Sequence, residues 1–229
     1  MKKFRTIFVV SLLMICALSA SAQKRGNNVS IRVGGVLPLQ EFHATPAYVV
    51  PGNALEAAVG KTPLHNTGAA SFGATLGVKE NYIFDFGMGI FLSADLMWNM
   101  INKSVSKVYD QVSCTKPMYI NVPIIVGLNY VTDFSDIVDV WAEAGIGADM
   151  FYKTQEGWSN ALIKYDMSAS FAAMGGAGVT FIDLISVGIN YYWLGKQSIK
   201  VNGVTYDETY VTPNKMKSGV LTFRVGFHF

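Results

Sequence analysis

The run from Lys217 to Phe229, KSGVLTFRVGFHF, restricts the fold of this chain more than any other stretch. Leu221, Phe223, Val225, Phe227 and Phe229 take every second position, with Val220, Thr222, Arg224, Gly226 and His228 between them. Successive side chains of a β-strand point to opposite faces, so one face is wholly apolar and the other carries a guanidinium, an imidazole and a hydroxyl. A water-soluble sandwich turns its apolar face inward. A strand that closes the chain on an aromatic residue suits a barrel whose apolar face meets lipid.

The same period of two recurs upstream. Asn28 to Leu37 sets Val29, Ile31, Val33 and Leu37 against Ser30, Arg32 and Gly34, and Thr67 to Lys79 sets Phe72, Ala74, Leu76 and Val78 against Gly73, Thr75, Gly77 and Lys79. In Ile83 to Asn99 the apolar set runs from Phe84 and Phe86 to Leu96 and Trp98, opposite Asp85, Gly87, Gly89, Ser93, Asp95 and Asn99. As a helix this segment would bury both aspartates in hydrocarbon without a segregated face, so it reads as a strand. Met118 to Val131, Val138 to Tyr152, Asp166 to Phe181 and Ile185 to Gly195 complete the set. Pro123, inward in the fourth segment, lacks an N–H and calls for a local bulge.

Long connections (Pro38 to Asn66, Met100 to Lys116, Lys153 to Tyr165, Gln197 to Met216) alternate with short ones (Glu80 to Tyr82, Thr132 to Ile137, Ile182 to Leu184). That is the rhythm of an eight-stranded antiparallel up-and-down transmembrane β-barrel, all-β, with long loops outside and both termini in the periplasm. A composition of 51% hydrophobic, 13% aromatic and 15% charged residues agrees with it. Lys2, Lys3 and Arg5, the apolar run Thr6 to Leu18 and the small residues Ala20-Ser21-Ala22 read as a signal peptide over 1–22, leaving 23–229 as one barrel domain. Its removal takes three cations from 18, leaving 15 against 16 acids, so the net charge goes from +2 to −1 and nothing favours nucleic acid. Cys114 is then the single thiol, and no internal disulfide can form.

Within the fourth segment, Tyr119-Ile120-Asn121-Val122-Pro123-Ile124 is an aromatic followed by alternating apolar residues and a proline. It resembles a signature at the same strand of PorT-like outer-membrane β-barrel domains. The ending Phe223, Val225, Phe227 and Phe229 resembles the assembly signal of small outer-membrane barrels. The likeness spans the mature chain as pattern and reaches the level of letters only in these two strands. It implies an outer-membrane location, partnership with outer-membrane lipid and the barrel assembly machinery, and relatives that include surface barrels without an assigned role and a component linked to protein secretion.

Eight strands enclose a lumen narrow enough for side chains to fill. Arg32 and Arg224 are expected to pair across it with Glu143 and Asp85, because an unpaired interior charge is costly; Asp139 should lie lower, and Asp95, Asp149 and Asp166 nearer the outside. Tyr82, Trp98, Tyr119, Tyr130, Trp193 and Phe229, with Phe84 and Phe181, are expected in aromatic girdles at the membrane boundaries. His43, His65 and His228 are too dispersed to converge, so neither a metal site nor a cofactor is expected. Ser159 or Ser113 with His43 or His65 would be the candidates for a lipid-modifying enzyme, but no spacing supports them. The loops hold a capped short helix over Asn53 to Gly60 and an Asn202-Gly203 turn that projects as a hairpin. These readings favour a non-enzymatic barrel with a filled polar lumen and a structural or partner-binding role at its extracellular loops. The alternative is a narrow pore or a barrel subunit of a secretion or transport assembly.

Overall fold

The computed structural model describes residues 26–44, 68–158, 161–203 and 214–229. The expected signal peptide, the helix at Asn53 to Gly60, His65 and Ser159 lie outside them. The elements in chain order are β1 (Gly26–Leu39), α1 (Gln40–His43), β2 (Ala70–Ile83), β3 (Met88–Ile101), α2 (Lys103–Gln111), β4 (Met118–Ser135), β5 (Val138–Lys153), β6 (Glu156–Trp158), β7 (Ala161–Ile163), β8 (Tyr165–Asp166), β9 (Ser168–Phe181), β10 (Ile185–Val201) and β11 (Asn214–His228). The long strands pair antiparallel in the order β11-β1-β2-β3-β4-β5-β9-β10, and β10 pairs with β11 to close an eight-stranded barrel. Ile31 opposite Phe227 and Leu37 opposite Leu221 mark the seam where the last strand meets the first. Closure leaves no open edge, so every stave has a partner on both sides.

Alternation then decides which side chains meet which medium. Phe223 and Phe227 stand on the outer surface, 47% and 42% exposed, beside Leu76, Val78, Leu92, Val126, Leu128, Ile146 and Ile189. Thr222, Arg224 and the inward polar residues of the other staves are buried. A closed cylinder with an apolar outside and a polar inside is a membrane-spanning structure, and such barrels belong to the bacterial outer membrane. The turns after β2, β4 and β9 are short, while the long connections all leave the opposite end. That end faces outward.

Of the boundaries that differ from the sequence reading, three bear on the site. The turn between the second and third staves falls at Phe84 to Gly87, not at Glu80 to Tyr82: Gly87 adopts φ +87° and its N–H donates to the Phe84 carbonyl at 2.9 Å. Phe84 and Phe86 continue the apolar alternation through this turn, stacked with ring centroids 5.6 Å apart, so periodicity alone placed them in a strand. The stave β10 runs past Gly195 to Val201, because a glycine at φ +66° lets it bulge between Trp193 and Lys196 and resume pairing. The stave β9 starts at Ser168, and Tyr165–Asp166 pairs separately with the outer end of β10.

Pro123 corrects the expected bulge. Ala94 pairs with Ile124 and Met97 with Asn121, so the β3–β4 ladder lapses between them while its register is unchanged, and Pro123 still pairs with Asp149 on the other side. The missing N–H faces β3 and leaves a gap without adding a residue. In the second long connection the sequence reading assigned only a loop. It contains α2, whose N-cap Asn102 accepts the Ser104 N–H at 2.9 Å.

Candidate functional site

Glycines in the wall make room for the charges in the lumen. Arg32 on β1 is flanked in register by Gly77 on β2 and Gly226 on β11, and Glu143 on β5 by Gly176 on β9. A Cβ added at Gly77 would lie 1.9 Å from Asp95 Oδ1, and one at Gly176 would lie 1.9 Å from Asn190 Nδ2. Beside Arg32 and Glu143, the missing side chains leave room for long polar groups to reach across the interior.

At the centre stands Asp95, 1% exposed. Arg32 Nη2 donates to its two oxygens at 3.1 and 3.2 Å, Arg224 Nη1 at 2.8 Å and the Tyr192 hydroxyl at 2.8 Å. Glu143 takes the Lys79 ammonium in a very short contact, the Asn190 amide at 2.6 Å and Arg32 Nη1 at 3.7 Å. Arg224 Nε donates to Asn190 Oδ1 at 3.2 Å and its guanidinium lies over the Tyr192 ring, while the Lys79 ammonium lies over Phe91. The result is one network of three cations and two carboxylates spanning six staves. Buried charges survive because each is paired and hydrogen-bonded.

Arg32, Arg224 and Glu143 lie in one network, but of the two arginines Arg32 contacts Glu143 while Arg224 pairs with Asp95, and Asp85 does not join them. It sits exposed in the turn after β2, because that turn begins later than the sequence reading placed it. Asp95 takes its place, opposite Gly77, which is itself opposite Arg32. Lys79 was legible as an inward residue, yet nothing in the sequence set its height relative to Glu143.

The network divides the lumen. On its outer side Met97, Tyr119, Ile125, Phe151, Leu194 and Met216 pack into an apolar plug, closed by Phe42 of α1, whose ring meets Tyr119 edge-on at 5.3 Å. Within this plug Gln197 Nε2 bridges Asn121 Oδ1 at 2.6 Å and Asp149 Oδ2 at 2.7 Å. On the periplasmic side a cavity of about 60 Å³ is lined by Asn28, Asn81, Asn129, Trp141, Glu143 and Arg224, among others. That is room for a few waters.

Outside, Tyr82 and Tyr130 stand at the turn end, and Trp98 and Trp193 at the loop end, all on the surface. The Phe171 ring meets Trp193 edge-on at 5.8 Å. Tyr119 does not belong to a girdle. It points into the barrel, 3% exposed, and its hydroxyl donates to the Gly68 carbonyl at 2.5 Å. Parity explains this, since Tyr119 lies on the same face as Asn121 and Pro123. Phe229 is half-buried and joins the barrel floor through its backbone, its N–H donating to Val29 O at 2.8 Å.

The outer loops form a clamp. Tyr109 of α2 donates to Glu156 of β6 at 2.5 Å, Lys153 Nζ reaches the same carboxylate at 2.7 Å, and Tyr165 makes a very short bond to it. Trp158 Nε1 donates to Val112 O at 3.0 Å, and Thr115 bridges to Gly157, so α2 and β6 are tied together. Burial by itself pushes the Glu156 carboxyl up, but the Lys153 ammonium and the two phenols outweigh it and hold it below the usual range. Tyr109 and Tyr165 are raised, by burial first and then by the Glu156 charge. The clamp is therefore one anion shared among neutral phenols and a single ammonium.

Of the residues weighed for catalysis, the two described, His43 and Ser113, are engaged separately. His43 Nδ1 lies 3.0 Å from the Ala70 carbonyl, and Ser113 is exposed just beyond α2 with φ +54°. Cys114 is a half-buried free thiol whose Sγ lies 3.8 Å from Val112 O. Among the described residues no group of histidine, cysteine, aspartate and glutamate could hold a metal ion.

No protein-family model matches the chain, and no curated protein matches it. Among solved structures it is similar to Neisserial surface protein A, at 14% identity over 90% of this chain and 98% of that one, with a TM-score of 0.48. It is similar also to the outer membrane protein OprG from Pseudomonas aeruginosa, at 14% identity over 90% and 97%, with a TM-score of 0.45. The outer membrane enzyme PagL is 16% identical over 88% and 98%, with a TM-score of 0.38. Likeness at this level carries no role from those proteins to this one.

Proposed function

We propose that this chain is a non-enzymatic outer-membrane barrel that does not conduct, a sealed support whose ordered outer loops serve envelope integrity or contact a partner. The observation that carries this reading is the filled lumen. The Asp95 network crosses the interior, and the apolar plug from Met97 to Phe42 lies over it. A passage for solute would have to break both. The tied loops α2 and β6 supply a surface stiff enough to be recognised without a large ordering cost. Within outer-membrane barrels, the Tyr119 to Ile124 run and the aromatic ending favour the PorT-like group, with Phe229 as the group read by the assembly machinery.

Planar-bilayer recording tests the sealed lumen. The reconstituted protein should leave the membrane silent, and discrete single-channel steps would overturn the reading in favour of a pore. In cells, replacing 103–111 and 156–163 by short Gly-Ser links should leave the barrel inserted but fail to restore detergent resistance to a deletion strain. Full restoration by that variant would remove the loops from the function.

A further inference from the structure

Three ammonium groups crowd the outward face of the sheet at the loop end of β10 and β11. Lys196 lies directly opposite Lys217 and Ser198 opposite Lys215, and all three lysines are exposed. Directly opposed side chains share a face with Cβ atoms about 5 Å apart, and the next pair on that face lies about 7 Å along the strand. Like charges so placed repel, which destabilises an isolated sheet. Three other lysines at this end stand against acids: Lys200 is opposite Asp166, Lys116 meets Asp110 and Lys153 meets Glu156. At this patch the carboxylate that approaches among the described residues is Glu41, whose Oε2 accepts the Lys217 backbone N–H at 2.6 Å. Among the described residues, three cations here stand against one acid.

The height of the patch identifies what could compensate them. Next along the same outward face come Trp193, opposite Gly219, and Tyr191, opposite Leu221, with Phe171 against the Trp193 ring. Amphipathic rings mark the boundary between hydrocarbon and headgroups, so the ammoniums stand at headgroup level. The charge is also one-sided along the barrel. The turn end presents Asp85, Asp136 and Asp183, and no lysine or arginine lies in those turns.

We propose that Lys196, Lys215 and Lys217, with the Ser198 hydroxyl, bind the phosphate of a lipid headgroup in the outer leaflet. A phosphate oxyanion between opposed ammoniums turns their repulsion into two charge-assisted contacts, and the acyl chains of the same lipid lie along Trp193 and Phe171.

This proposal rests on the membrane reading, and the experiment separates the two. The protein and the triple variant K196Q/K215Q/K217Q are reconstituted in phosphatidylcholine nanodiscs and titrated with bis-phosphorylated lipid A, with its dephosphorylated form and with inorganic phosphate. Retained lipid is counted by native mass spectrometry. The unaltered protein should hold lipid A at least tenfold more tightly than the dephosphorylated form, and the triple variant should lose that preference while K103Q/K107Q on α2 keeps it. Inorganic phosphate at the same concentration should not displace the lipid. Equal retention by the triple variant, equal binding of the dephosphorylated lipid, or displacement by phosphate alone would each overturn the proposal. Failure of the unaltered protein to insert would instead sink the membrane reading. The thermal midpoint of each variant in phosphatidylcholine alone confirms folding: relief of the like-charge pair should leave the triple variant no less stable than the parent.

Discussion

Exchanging Asp95 for asparagine tests the central network most directly. The substitution keeps shape and one acceptor but removes the charge that Arg32, Arg224 and Tyr192 share at 2.8 to 3.2 Å. Arg32 retains a 3.7 Å contact with Glu143, so the larger loss falls on Arg224, whose remaining acceptor is the neutral Asn190. Leaving a buried cation without its partner costs about 3–5 kcal/mol, a large part of the stability of a domain. With a urea slope of about 1–3 kcal/mol/M, the midpoint should fall by roughly 1–2 M or more, measured by tryptophan fluorescence on barrels folded into vesicles. Asp85→Asn, in an exposed turn, should stay within about 0.5 kcal/mol of the parent. Replacing the triad together by apolar residues (Asp95→Leu, Arg32→Met, Arg224→Leu) should recover most of the loss, because no charge is then stranded. Parental stability in Asp95→Asn, or an equal loss in Asp85→Asn, would refute the reasoning.

Other outcomes follow from the same contacts. Gly77→Ala places a Cβ 1.9 Å from Asp95 Oδ1 and should cost about 1–3 kcal/mol, falling to under about 0.5 kcal/mol in an Asp95→Ala background where the carboxylate is gone; the same urea titration measures both. The outer clamp should depend on pH. The folded Glu156 carboxyl lies below its unfolded value of about 4.3, so its contribution is complete above that pH and is lost as pH falls through the lower folded value. Tyr109 and Tyr165 are raised, so their contribution is complete below about pH 10 and erodes above it. Amide-exchange protection of α2 and β6 should accordingly be flat from about pH 5 to 9 and collapse in acid. Tyr109→Phe should weaken that protection by about 1–2 kcal/mol and move the acid edge upward; an unchanged edge would remove the phenol from the clamp.

Alternation alone determined that this chain makes eight two-faced staves, because a period of two fixes which side of a strand each residue serves whatever the strand pairs with. It put Phe223 and Phe227 on the oily face and Arg32, Lys79, Glu143 and Arg224 on the wet one. The long and short connections fixed which end is which. Height was not legible. The ladder sets which residues of neighbouring staves stand level; a late turn at Gly87 shifts it, and the bulge at Gly195 also switches the outward positions of β10 from odd numbers through Trp193 to even ones from Lys196 on. Hence the sequence suggested Asp85 where the barrel uses Asp95; Tyr119 is a different case, since its parity with Asn121 and Pro123 already turned its ring into the lumen and away from the girdle. The opposition of Lys196 to Lys217 was hidden for the same reason, since it exists only once β10 has bulged and resumed pairing with β11. Faces are a property of the strand; neighbours across the lumen and along the rim belong to the closed sheet.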